Sequence, residues 1–95
     1  RGGLMVVKFP LGQLVATPGA LEAMKEAEVG FLPYIRRHLE GDWGDISPED
    51  AAENELSLEQ GFRLLSAYML PGGRKIWIIT EADRSATTIL LPEEY

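Results

Sequence analysis

The chain predicts an α+β fold: an antiparallel sheet, built from an N-terminal strand plus a C-terminal three-stranded meander, with two to three helices packed on one face. Three observations predict it. The first apolar stretch is β-branched, the middle of the chain carries paired helix-start signals, and the last third is rich in β-branched and aromatic residues split by turn sequences. With 95 residues the chain suits one domain and is too short for two, so residues 1–95 are read as a single α+β unit. Arg1 to Leu4 precede the first methionine, Met5, and are read as upstream residues without functional weight.

The elements follow in order. "MVVKFPLGQLVAT" opens as a strand that Pro10 interrupts, since proline cannot donate to a central ladder. An edge strand, or two short strands bent at Pro10, is expected. In "TPGALEAMKEAEVG", Thr17 is an N-cap, Pro18 suits the first helical position, and Gly30 is a stop. Ala20, Leu21, Met24 and Ala27 form the apolar stripe. "FLPYIRRHLEG" repeats the pattern, with Phe31, Leu32, Ile35 and Leu39 on one face, Pro33 in the first turn and Gly41 past the end.

"SPEDAAENELSLEQG" begins with Ser47 as N-cap, Pro48 behind it and acids in the first turn, where they favour the helix dipole. Its amphipathicity is poor, because Glu55 and Glu59 fall inside the arc of Ala51, Ala52, Leu56 and Leu58. A break near Ser57 is therefore expected. "FRLLSAYML", "KIWIIT" and "SATTILL" read as three strands, with "PGGR" and "EADRS" as the turns between them. "KIWIIT" is apolar from Ile76 to Ile79, which marks the middle strand, covered on both faces.

Composition narrows function. Nine Lys/Arg against fifteen Asp/Glu give a net charge of −6, which opposes direct nucleic-acid binding and docking on an anionic membrane. No apolar run reaches bilayer-spanning length. The absence of cysteine excludes a disulfide scaffold, a thiolate zinc site and a cysteine nucleophile, and fits a cytoplasmic setting. No cofactor fingerprint is present, so no cofactor is expected. A protein partner and homo-oligomers are compatible with the composition.

Two polar segments stand out as binding candidates. "GDWGDISPED" holds Asp42, Trp43 and Asp45, with Glu49 and Asp50 behind them. These carboxylates are hard oxygen donors, yet their spacing is not that of a calcium loop, so no metal site is assigned. A helix-to-helix connection pinned by Trp43 explains the same residues. "TEADRSATT" crowds Glu81, Asp83, Arg84 and Ser85 between two apolar strands. Such groups can contact a ligand or partner, and a turn also uses Asp and Ser for local backbone bonds. His38 is the sole histidine, and without a nucleophile motif around any serine it reads as a helix-terminal imidazole favoured by the dipole. No catalytic residue is assigned. "PGGRK" lacks phosphate-loop spacing, and Tyr34, Tyr68 and Trp77 read as core and sheet residues, not a base-stacking platform.

"GQLVATPGALEAM", "RHLEGDWGDISPEDAAENE" and "GFRLLSAYMLPGGRKIWIITEADRSATTILLPEEY" together resemble a family of small uncharacterised bacterial proteins, often borne on plasmids and other mobile elements. Some members are loosely labelled as type I restriction enzyme subunits. The resemblance implies a bacterial cytoplasmic setting and no established activity. No methyltransferase fingerprint accompanies it. The leading expectation is a non-enzymatic protein-interaction domain whose surface is formed by residues 41–50 and 81–85. Two alternatives are a divalent-metal-dependent hydrolase using Asp42, Asp45, Glu81 or Asp83, and an acidic DNA mimic that inhibits a nuclease or restriction system.

Overall fold

A computed structural model describes residues 6–95. Strand β1 (Gln13–Ala16) is followed by three helices, α1 (Pro18–Glu26), α2 (Leu32–Leu39) and α3 (Pro48–Gln60). Three strands come next, β2 (Leu64–Met69), β3 (Lys75–Thr80) and β4 (Ala86–Leu90), and a 3₁₀ turn, Pro92–Glu94, ends the chain. The element order and the α+β class are those the sequence predicts. Arg1–Leu4, and Met5 at the head of the expected first strand, lie outside the described residues.

The sheet order is β1-β4-β3-β2. The C-terminal meander is antiparallel, but β1 runs parallel to β4, with Gln13 opposite Ala86 and Ala16 opposite Ile89. The sheet is therefore mixed, which corrects the all-antiparallel expectation. The physical reason is topological. β1 meets β4 only after a long crossover, and such a connection permits a parallel pairing that a tight hairpin does not. Among the described residues upstream of Gln13 there is no strand. Lys8 N instead donates to Leu39 O at 2.9 Å, and Phe9 is buried in the core. Gly12 bends the chain into β1 with φ +66°, and a side chain there would collide with Arg84 O and Ser85.

One face of the sheet carries the core. Leu64 and Tyr68, Ile76 and Ile78, and Ile89 pack against Ala20, Ala23 and Met24 of α1 and Ile35 and Leu39 of α2. The buried stripes differ slightly from the expected ones. Leu21, Phe31 and Leu32 are exposed, while Ala23 and His38 take the inward positions. The N-caps are as read from sequence: Thr17 Oγ1 accepts from Ala20 N, and Ser47 Oγ from Asp50 N, both at 3.1 Å. Helix α1 stops before Gly30; the left-handed residue after it is Glu28, φ +59°.

Helix α3 does not break at Ser57. It is continuous to Gln60 and closes on Gly61 in the left-handed conformation. Its fully buried residues are polar, Asn54 and Ser57, and Asn54 lies along the edge of β2, while Ala51 and Leu58 pack partly buried against the core. Asn54 Nδ2 donates to Leu65 O at 2.7 Å and its Oδ1 accepts from Leu65 N at 3.1 Å. An edge strand's unpaired backbone groups demand such partners, and an apolar residue could not supply them. β3 is the middle strand of the meander as expected. Its outward Trp77 is half-buried, under the C-terminal Tyr95 at 5.7 Å between ring centroids, so helices cover only one face.

Candidate functional site

The two polar segments lie at opposite ends of α3. Ser47, at the end of the first segment, caps the helix start, and Arg84 of the second bonds its last turn. Thirteen residues at 1.5 Å each separate them by roughly 20 Å. The structure thus does not bring Asp42, Trp43 and Asp45 together with Glu81, Asp83, Arg84 and Ser85. Among the described residues, no three His, Asp or Glu side chains cluster as metal ligands.

In the first segment Asp42, Trp43 and Asp45 each have a partner within the fold. Trp43 is buried, stacks at 6.4 Å on Phe9, and donates from Nε1 to Glu55 Oε2 at 3.0 Å. That bond explains why an acid sits within the apolar arc of α3. Asp42 accepts from Arg37 Nε at 2.7 Å, and this guanidinium holds its carboxyl below the usual carboxylate range. The same guanidinium lies 4.5 Å from the Tyr68 ring centroid, while Tyr68 donates its hydroxyl to Asp42 O at 2.6 Å. Asp45 pairs with Lys75 at 3.1 Å on the exposed surface. Trp43 O and Asp45 N bond Ala67 N and O at 3.0 and 2.6 Å, so the loop covers the β2 edge just beyond Asn54. Gly44 is required between them: its φ is +79°, and a Cβ would overlap Ala67 O.

The second segment is the β3–β4 turn. Asp83 Oδ1 accepts from Ser85 N at 3.0 Å, a local turn bond that lowers the Asp83 pKa, with the Ser85 hydroxyl the larger cause. Arg84 occupies the left-handed region, φ +61°, and turns its guanidinium inward. Its Nη1 donates to Phe62 O, Glu81 O and Ala82 O at 2.7–3.1 Å, and Nη2 to Ser57 O at 3.0 Å. This is a cation at a helix C-terminus, adding a bond to the Ser57 carbonyl that the Gly61 amide also bonds. Glu81, Asp83 and Ser85 remain exposed.

Sequence reasoning missed the principal polar assembly of the molecule, a buried chain centred on His38. His38 lies in the last turn of α2 as expected, but it is fully buried and its ring bonds the sheet. Its Nδ1 lies 2.6 Å from Ser66 Oγ and its Nε2 2.9 Å from Thr80 Oγ1, which is 2.7 Å from Thr87 Oγ1. Thr87 in turn donates to Leu11 O at 2.7 Å. Counting protons fixes the direction of each bond. A carbonyl only accepts, so the single Thr87 proton goes to Leu11, and Thr80 must donate to Thr87. Thr80 then accepts from His38 Nε2–H, leaving Nδ1 to accept from Ser66. The imidazole is neutral, and burial pushes its pKa down to about 4. Phe9 and Trp43 present their rings to it edge-on at 5.1 and 5.9 Å. Although a serine and a histidine are bonded here, the group is closed to solvent, and its chemistry is that of a structural clamp joining α2 to β2, β3 and β4. The available signal was the set of hydroxyl residues Ser66, Thr80 and Thr87 at inward strand positions, each on the same face as an apolar neighbour.

No family model matches the chain, and no curated protein and no solved structure is similar to it.

Proposed function

We propose that this is a non-enzymatic protein-interaction domain, and that its contact surface is the sheet face turned away from the helices. One observation carries the reading. That face exposes Val15 and Met69, half-exposes Leu65 and Trp77, and has buried Ala67, Ile79 and Leu90 between them. Its main cover is Tyr95, itself 67% exposed and held by Trp77 and the Arg63 guanidinium. Contiguous apolar surface rimmed by polar groups such as Lys75 and Gln13 is what association surfaces offer.

The polar segments serve this reading less well than the sheet face. Trp43 and Arg84 are engaged inside the fold, so a partner could meet only Asp42, Asp45, Glu81, Asp83 and Ser85 at their exposed rims. The hydrolase alternative needs the two carboxylate groups to converge, and α3 holds them apart. For the DNA-mimic alternative, α3 offers Glu49, Asp50, Glu53 and Glu59 without a basic residue, but Glu26, Asp42, Asp45 and Glu93 are all paired with Arg or Lys.

The test is a quantitative pull-down from a bacterial lysate with wild type and Met69→Lys/Tyr95→Lys, both sites being exposed. A protein retained by wild type and lost by the folded double variant supports the surface. Equal retention by both, or no retained protein with either, overturns it.

A further inference from the structure

The sheet has two edges, and they are treated differently. On β2 the outward backbone groups of Leu65 are bonded by the Asn54 side chain, and those of Ala67 by Trp43 O and Asp45 N. Among the described residues β1 has no such cover. Gln13 N and Thr17 N donate to Ser85 O and Ile89 O, both at 2.9 Å, so the odd-numbered residues of this strand face β4. Leu14 and Ala16 consequently turn N–H and C=O away from the sheet, and among the described residues nothing bonds them. Proteins usually guard such an edge with a lysine, an internal proline, a bulge or a covering loop. None of the first three is present in β1: its sequence is QLVA, in a regular register against β4.

We propose that the β1 edge pairs with the β1 edge of a second copy of this chain, about a two-fold axis, to give one continuous sheet. Charge selects this occupant. The chain has a net charge of −6, yet from Phe9 to Leu21 it contains no charged side chain, its longest neutral run. Two copies can meet there with the least like-charge repulsion. The register also closes on itself. With Val15 opposite the second copy's Val15, Leu14 stands opposite the copy's Ala16, and these two residues exchange both backbone bonds, as a hydrogen-bonded antiparallel pair does. Symmetry repeats the exchange at Ala16. The Val15 side chains, 41% exposed in the single chain, then lie together in a close pair on the outer face. The inference goes beyond the interaction reading above, since it uses the sheet edge and stands or falls separately from any partner on the face.

The experiment is sedimentation equilibrium from roughly 1 to 300 µM, a range that brackets a Kd in the micromolar region. Wild type is expected to shift from monomer to dimer with concentration. Ala16→Pro removes an outward N–H without touching the β1–β4 ladder, and Val15→Lys places a charge at the two-fold axis. Both are expected to remain monomeric, and the Val15→Lys melt is expected to match wild type at concentrations where wild type is itself monomeric. Should the proline disturb β1 itself, the lysine variant decides alone. A wild type that stays monomeric at the highest concentration overturns the proposal, as does a dimer that Val15→Lys leaves intact. A monomeric wild type that still captures a partner through Met69 and Tyr95 overturns the edge proposal only.

Discussion

Acidification should loosen this fold through His38 before the carboxylates take part. The unfolded chain binds a proton at its histidine near pH 6.5, whereas the buried imidazole does so at about 4. Between those values the unfolded state holds more protons, so stability rises with pH across the window. It is fully present above pH 6.5, is lost as pH falls towards 4, and changes no further from this group below that. Each pH unit inside the window is worth about 1.4 kcal/mol. From pH 7.5 to 4.5 the loss is therefore about 2.5 kcal/mol, close to a hundredfold in the unfolding constant. In a domain of this size that lowers Tm by roughly 10–20 °C. The cause is burial alone. The side chains facing the ring are Phe9 from the N-terminal segment, Trp43 from the 41–50 loop, Ser66 from β2 and Thr80 from β3, none of them charged. The carboxylates held below their usual range, Asp42, Asp83 and Glu94, act only at the acid end of the window and beyond. Urea unfolding followed by tryptophan fluorescence at half-unit steps measures the slope, and His38→Gln, which does not titrate, should flatten it. A wild type whose stability is level from pH 7.5 to 5 would refute the reasoning, as would a glutamine variant with the wild-type slope. Because the chain has one histidine, its ring nitrogens also give an unambiguous NMR titration, expected to show the Nε2–H tautomer down to about pH 5.

Three further outcomes follow from the contacts of α3. Asn54→Ala strips both backbone groups of Leu65 of their partner and should destabilise by about 2–3 kcal/mol in denaturant titration. Ser57→Ala should do the opposite. Its buried hydroxyl has no hydrogen-bond partner, so the variant is expected to melt higher, by about 0.5–1 kcal/mol of stability. Arg84→Ala should lose about 1–2 kcal/mol with the bonds to the α3 terminus, and Arg84→Gly should fare better by up to about 1 kcal/mol, because glycine tolerates φ +61°. Equal melts for the alanine and glycine variants would mean that the backbone there carries no strain.

Local features of this fold were legible in its sequence because their causes are local. Thr17 and Ser47 cap helices by bonding an amide three residues away, and proline behind each fixes the first helical turn. The strands of the meander were equally plain from β-branched runs between turns. What escaped sequence reading depends on partners distant along the chain. Arg84 looks like a turn residue, yet its role is set by Ser57 and Phe62. Glu55 and Glu59 made α3 seem badly amphipathic, when Glu55 answers the Trp43 indole and Asn54 answers the β2 edge. The parallel direction of β1 leaves no mark in a four-residue strand, and His38 differs from a surface histidine only through the hydroxyls on β2 and β3 and the rings that enclose it.

The partnership of β1 with β4 has a consequence for how the chain comes off the ribosome. Among the described residues β1 has β4 as its one strand neighbour, so β1, the three helices, β2 and β3 are all synthesised before the sheet can accept β1. Closing so long a loop is entropically costly, and pairings remote in sequence slow folding. During that interval Leu14, Val15 and Ala16 have neither edge bonded. The helical hairpin cannot shelter them, because Ile76, Ile78 and Ile89, which complete the core, are not yet present. The sheet is therefore expected to close in one concerted step once β4 has been made, with β4 as the strand that commits the domain.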